Sequence, residues 1–304
     1  MSQPDVPTLT SKLGFSFTPG GLLFPYYLGV LKRLEMEGFL AADTPLAGSS
    51  AGAVAVALVG LGMDMDTANQ FSARVFQECR DRGSAFRLKK ILGRELVNSL
   101  PNDSHDTIKN REGPIIVGMT HVFPRPKGVF VSEFSSKADL IEVLLGSCHV
   151  PFWFSPRPYM DVRGKATMDG FFSVPKSKFG APDIPTADQI VRVTVFPTTS
   201  VIGMHSELPG GIISPDLLDR YASGRFWELV KYALSAADET VMEELFQAGI
   251  ESGGVWCDRY GEQYRTRHEE TYSSENVAAV APPDFYFRPH GVLGGDGQDC
   301  PETR

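Results

Sequence analysis

The pentapeptide Gly48-Ser49-Ser50-Ala51-Gly52 constrains this chain more than any other feature. It follows the apolar Pro45-Leu46-Ala47 and opens a run of Ala and Val from Ala51 to Leu61, so it reads as a sharp turn between a strand and a helix. In a G-x-S-x-G turn the glycines let two stretches of backbone close on each other and push the serine hydroxyl outward. Ser50 is therefore a candidate nucleophile, with Gly48 and Gly52 forming its elbow. The helix behind it supplies free N–H groups and a positive dipole end, where the Ala51 amide could meet a developing oxyanion.

The lead into that turn is short. Leu13 to Thr18 reads as a strand that meets the turn Pro19-Gly20-Gly21, and Phe24 to Glu37 carries Leu28, Leu31 and Leu34 at helical spacing, with Gly38 as a stop. The order strand, helix, strand, helix calls for parallel strands with helices packed on a sheet, the α/β class. Further along, Asp66 to Arg82, Phe86 to Val97 and Lys137 to Leu145 read as helices. Ile115 to Phe123, Gly128 to Phe134 and Val191 to Phe196 read as strands, the first two joined by the turn Pro124 to Lys127. Two late helices, Arg220 to Ala236 and Asp238 to Gln247, close the ordered part. The expected organisation is an N-terminal extension (1–12), one domain (13–267) whose C-terminal helical part covers about 220–250, and a low-complexity, disordered tail (268–304).

Composition removes several classes. A net charge of −8 over 304 residues argues against a nucleic-acid binder, whose affinity would come from Lys and Arg neutralising phosphates. Cys79, Cys148, Cys257 and Cys300 show no C-x-x-C spacing, and the adjacent Cys148-His149 pair would point to opposite faces of an extended segment, so no metal site is expected. Two uncharged runs, Leu13 to Leu31 and Gly48 to Met63, are respectively broken by Pro and Gly and too short, so neither is expected to span a membrane. Met1 to Lys12 lacks the basic and apolar regions of a secretory signal, which suggests a cytoplasmic start.

A histidine partner for Ser50 is hard to find. An α/β-hydrolase places several strands before its elbow and a histidine after its acid, yet fewer than fifty residues precede Ser50, and His205, His268 and His290 lie in no recognisable motif. The residues resemble instead the patatin-like phospholipase family, in particular its triacylglycerol-lipase branch. Ser16 to Val30 is similar to that family's glycine-rich oxyanion loop and following helix, and Gly48 to Gly52 to its nucleophile elbow. Leu100 to His105, Ser135 to Lys137 with Leu140-Ile141, and His149 to Phe152 resemble further family blocks, and Asp169-Gly170 falls where the family carries its catalytic Asp-Gly. The blocks keep their order from about residue 13 to residue 250.

The resemblance implies a three-layer fold with a central, mostly parallel sheet flanked by helices. It also implies a Ser-Asp dyad in which Ser50 attacks a glycerolipid ester and Asp169 serves as base, with no metal or organic cofactor. A carboxylate in a poorly solvated cleft gains the basicity such a role needs. The oxyanion loop departs from the family's G-x-G-x-x-G, reading Pro19, Gly20, Gly21, Leu22, Leu23, Phe24, so that only Gly21 keeps a marked position. Pro19 has no N–H to donate, which leaves the amides of Gly20, Gly21, Leu22 and Ala51 for the oxyanion. The partner implied is a lipid ester, hydrolysed or passed to another alcohol; a lipid-binding protein of weak activity is the alternative. Pro151-Phe152-Trp153-Phe154-Ser155-Pro156 could line an acyl groove. Arg80 to Arg94, with six basic residues among apolar ones, could form a basic amphipathic helix on a membrane or lipid-droplet surface.

Overall fold

The computed structural model describes residues 12–198, 203–206, 208–218 and 226–265. Within them the chain runs β1 (Leu13–Phe17), a 3₁₀ turn (Gly21–Leu23), α1 (Phe24–Met36), β2 (Leu46–Ser49), α2 (Ala51–Gly60), α3 (Met65–Arg82), α4 (Leu88–Ser99) and α5 (Ser104–Lys109). It continues through β3 (Ile115–His121), β4 (Lys127–Val131), α6 (Lys137–Ser147), β5 (Met160–Val162), β6 (Lys165–Met168), β7 (Gln189–Val193) and β8 (Ile212–Ile213) to α7 (Phe226–Leu234) and α8 (Glu239–Arg265).

The expected opening order is present, and its local causes are visible. Gly38 ends α1 through a pair of bonds, Phe39 N–H to Leu34 O at 2.8 Å and Gly38 N–H to Glu35 O at 3.0 Å, the Schellman pattern. Asp64 caps α3 by accepting from Thr67 N–H at 2.8 Å, and Ser136 caps α6 by accepting from Asp139 N–H at 3.1 Å. Helix α2 is apolar on every side and almost wholly buried, as a helix covered by neighbours all round must be.

The sheet is parallel at its centre, with β1 between β2 and β7, β2 also beside β3, and β7 beside β8. Alternation along the strands sorts two faces. Leu13, Phe15, Phe17, Leu46, Ile115, Val117, Val191 and Val193 enter the main core with the helices. Ala47, Ile116 and Ile190 turn the other way, onto Ile184 and Ala187. That second face is covered by the stretch between β6 and β7, which contains two 3₁₀ turns, and the Ser16 hydroxyl ties it down by donating to Pro182 O at 2.6 Å. The chain thus has an α/β fold with a central mixed sheet flanked by helices.

The antiparallel strands settle the geometry of the site. Val117 and Gly118 of β3 pair with both β2 and β4, whereas Thr120 and His121 pair with both β4 and β6. A strand has two edges, so β6 must occupy the edge of β3 that β2 vacates at Ser49. The end of β2 and the end of β6 are thereby brought side by side.

Three expectations need correction. The last helix does not stop near Gln247 but runs to Arg265, beyond the helical part expected to end near residue 250. Its glycines are there for close approach: a Cβ at Gly249 would lie 2.1 Å from Tyr26 O, and one at Gly29 of α1 would lie 2.0 Å from Phe246 O. The basic stretch Arg80 to Arg94 is not one helix, because Gly83 (φ 78°) and Phe86 (φ 65°) break it between α3 and α4. Helix α5, the β5–β6 hairpin and β8 carry no readable periodicity and were not anticipated. The expected extension (1–12) and tail (268–304) lie outside the described residues, Lys12 excepted.

Candidate active site

Ser50 stands where β2 ends and α2 begins, with φ 55° and ψ −125°, a conformation that costs a non-glycine residue of order 1–3 kcal/mol. The surroundings impose it. A Cβ at Gly48 would fall 2.4 Å from Gly52 C and O, and one at Gly52 would fall 2.7 Å from Phe17 O and Thr18 O, so both positions demand glycine if the elbow is to sit against β1. The Ser50 N–H donates to Ser147 Oγ at 2.8 Å, and that hydroxyl donates to Gly118 O at 2.6 Å. Ser147 thus ties the elbow to β3 and satisfies two buried backbone groups at once.

Asp169 follows β6 and is held through its backbone. Its N–H donates to His149 O at 2.8 Å, and its carbonyl accepts from the Thr120 hydroxyl at 2.9 Å. Its carboxyl is buried, 3% exposed; Oδ1 accepts the Phe171 N–H at 2.8 Å, and Oδ2 has no hydrogen-bond partner among protein atoms. Desolvation pushes this carboxyl up to about 6, against the opposing pull of the Phe171 N–H and the Ser50 hydroxyl. The Ser50 hydroxyl lies near enough to act on both Asp169 and the Cys148 thiol. Its approach to Asp169 is looser than a formed hydrogen bond, since Oδ2 remains unpartnered; such pairs commonly tighten once substrate is bound. Burial, and secondarily the charge on Asp169, raises the Cys148 thiol, which therefore stays protonated beside the serine.

A narrow cavity opens on Ser50. Its walls are Gly21, Leu22, Phe24, Ala51, Val54, Phe71, Val75, Phe76, Leu88, Leu92, Trp153 and Phe154, with Ser50, Ser72 and Cys148 as its polar lining. Its volume is about 50 Å³. Of the four expected oxyanion residues, Gly21, Leu22 and Ala51 join Ser50 in the wall. Gly20 does not, and packs instead on the Tyr27 ring. Tyr27 anchors that loop, its hydroxyl donating to Pro19 O at 3.2 Å and lying 2.8 Å from Thr18 Oγ1. Of the stretch Pro151 to Pro156, Trp153, half-buried, and Phe154, buried, line the slot, whereas Phe152 is exposed outside it.

Sequence reasoning missed Ser147, Thr120 and the Cys148 contact, none of which belongs to a spaced motif. His149 belongs to one of the family-like blocks, which assigned it no role. Its ring is buried, with Nε2 3.1 Å from Arg157 O, and its carbonyl holds Asp169. His205 is exposed, with Nδ1 beside Gly203 O, while His268 and His290 fall outside the described residues. Among the described residues no three His, Cys, Asp or Glu side chains converge as a metal would need. No described helix is long and apolar enough to cross a membrane.

A strained serine elbow between a parallel strand and a buried helix, with a buried carboxyl beside it and an apolar slot opening on the serine, is an arrangement suited to nucleophilic chemistry by a serine hydroxyl. The profile of the patatin-like phospholipase family matches residues 16–175, just over half of the chain, which belongs to that family. Curated relatives include the omega-hydroxyceramide transacylase of Mus musculus, 32% identical over 56% of this chain and 28% of its own length. Others are the human patatin-like phospholipase domain-containing protein 2, 32% identical over 52% of this chain and 32% of its length, and domain-containing protein 4, 32% identical over 52% of this chain and 64% of its length. The chain therefore spans less than two thirds of each of these relatives.

Proposed function

We propose that this protein is a serine acyl hydrolase of glycerolipid esters, triacylglycerol or phospholipid, working through Ser50 and Asp169. The single observation that carries the reading is the buried, half-satisfied Asp169 carboxyl beside the strained Ser50 elbow. Ionised above a pH of about 6, its free Oδ2 accepts the Ser50 proton as Oγ attacks the ester carbonyl carbon. The oxygen of the tetrahedral adduct takes the negative charge, and the amides of Gly21, Leu22 and Ala51, residues that line the cavity with Ser50, are the donors assigned to it. Collapse breaks the ester C–O bond, and the leaving alcohol takes the proton from Asp169. Water then attacks the acyl-Ser50, giving its proton to Asp169; the fatty acid departs and Ser50 regains a proton.

The apolar slot suits a single extended acyl chain, with Val54, Phe71, Val75 and Leu92 along it. A second reading, acyl transfer to an alcohol in place of water, is favoured by the relative named as a transacylase. A fluorophosphonate probe with peptide mapping tests the core of both readings. An adduct on Ser50 that is lost in Ser50→Ala is expected, and an unlabelled wild-type protein sinks them. Release of free fatty acid from glycerolipid, against an acylated product when an alcohol is added, then separates hydrolase from transacylase.

A further inference from the structure

Four large apolar side chains stand out in water on three segments around the slot: Phe86 (55% exposed), Phe152 (61%), Trp227 (75%) and Leu234 (45%). Phe86 and Phe152 both hold positive φ, 65° and 58°, a conformation uncommon for bulky residues and maintained only when the surroundings enforce it. The enforcement is visible. The Phe86 N–H donates to Trp153 O at 2.6 Å, the Phe152 N–H to Arg157 O at 3.3 Å, and the Trp153 indole N–H to Leu234 O at 3.2 Å; the Ser84 hydroxyl also donates to Leu234 O, at 2.8 Å. The loop between α3 and α4, the aromatic stretch at 151–156 and the end of α7 are thereby laced into one rim, through the same Trp153 that lines the slot. Trp227 and Leu234 lie seven residues apart, two turns on one exposed face of α7, with Lys231 between them.

Charge is segregated on the α3–α4 segment of this rim although the chain as a whole is acidic, while α7 carries Glu228 and Lys231. Between residues 80 and 94 Asp81 is the only acid against Arg80, Arg82, Arg87, Lys89, Lys90 and Arg94. Arg80, Arg82 and Arg94 are engaged with Glu239 or Glu78, whereas Arg87, Lys89 and Lys90 make no salt bridge within 4 Å among the described residues; exposed Arg157 adds a further cation beside Phe152. Apolar tips ringed by cations fit an interface in which hydrocarbon lies under anionic headgroups.

We propose that this rim is a docking surface for an anionic lipid membrane, with Phe86, Phe152, Trp227 and Leu234 entering the acyl boundary and Arg87, Lys89, Lys90 and Arg157 meeting the headgroups. Resting on the reading of the slot as a lipid-ester site, this orientation sets the mouth of the slot against its substrate. The test is co-sedimentation with vesicles of phosphatidylcholine alone or with phosphatidylserine, beside hydrolysis of a water-soluble short-chain ester. Asn tolerates positive φ, so Phe86→Asn/Phe152→Asn keeps the loop conformation while removing both rings. It is expected to weaken binding to both kinds of vesicle by about tenfold per ring. Arg87→Gln/Lys90→Gln should weaken binding to phosphatidylserine vesicles by about thirtyfold and leave neutral vesicles unaffected. Both variants should hydrolyse the soluble ester like wild type. Unchanged vesicle binding in variants with normal soluble-ester turnover overturns the proposal, as does a concentration-dependent dimer that the phenylalanine variant abolishes without any vesicle binding by wild type. Wild-type protein that binds vesicles through these residues but turns over no ester supports the surface and refutes the catalytic reading instead.

Discussion

Replacing Asp169 by Asn separates two consequences of burying one carboxyl. Desolvation raises its pKa from the ordinary 3.8 to about 6, despite the Phe171 N–H and the Ser50 hydroxyl. A group whose folded pKa lies above its unfolded value binds its proton more tightly in the native state. Its contribution is therefore fully present at low pH and is lost as pH rises from about 4 through about 6. A shift of about two units corresponds to about 3 kcal/mol of lost stability at neutral pH. Asn carries no charge, but its amide nitrogen would inherit the unpartnered position of Oδ2, at a cost of about 1–2 kcal/mol at every pH. The variant should then be less stable than wild type at pH 4 and more stable by about 1 kcal/mol at pH 7.5. The difference between the two proteins should move by about 2–3 kcal/mol across that range. Urea unfolding followed by circular dichroism at pH 4, 5, 6 and 7.5 reads it, since every other titrating group is common to both proteins. Ester hydrolysis should fall by about 10²- to 10⁴-fold in the variant, and wild-type kcat/KM should climb with an apparent pKa of about 6. A stability difference that stays flat with pH would refute the reasoning, as would activity that survives the substitution.

Two further outcomes follow from the site. Ser147→Ala leaves the Ser50 N–H and Gly118 O without their partner, so unfolding free energy should drop by about 2–3 kcal/mol, and kcat should fall while KM for a short ester is kept; an elbow that works at full rate without Ser147 would show that it needs no such tie. Val75→Phe adds bulk to the wall of a narrow slot, so hydrolysis of long-chain esters should collapse while an acetate ester is still cleaved, as read by kcat/KM against chain length. Equal losses for all chain lengths would place the acyl chain elsewhere.

Local signals were enough to place the opening of this fold. A strand, a glycine turn, a helix stopped by Gly38, a second strand and the elbow all rest on near-neighbour chemistry, and each is found within a residue or two of its expected bounds. The end of the last helix was misplaced because Gly249, Gly253 and Gly254 look like breakers in isolation. Only the crossing of α8 over α1 shows that Gly249 is small so that two backbones can touch. The basic run at 80–94 was misread for the opposite reason, since its composition suits a helix but Phe86 is held at positive φ by a hydrogen bond to Trp153, far away in sequence.

The same division runs through the site. Sequence by itself determined the elbow, because Gly48 and Gly52 carry their reason in their lack of a side chain, and it marked Asp169-Gly170 by resemblance. It could not say why residue 169 should stand beside residue 50. Tertiary structure decided that: β2 gives up its edge of β3 at Ser49, and β6 takes up the same edge at Thr120 and ends at Met168, just before Asp169. The raised pKa of that carboxyl, the Ser147 tie and the apolar rim were likewise decided there. Burial, desolvation and shared strand edges belong to groups far apart along the chain, and no spacing within one segment encodes them.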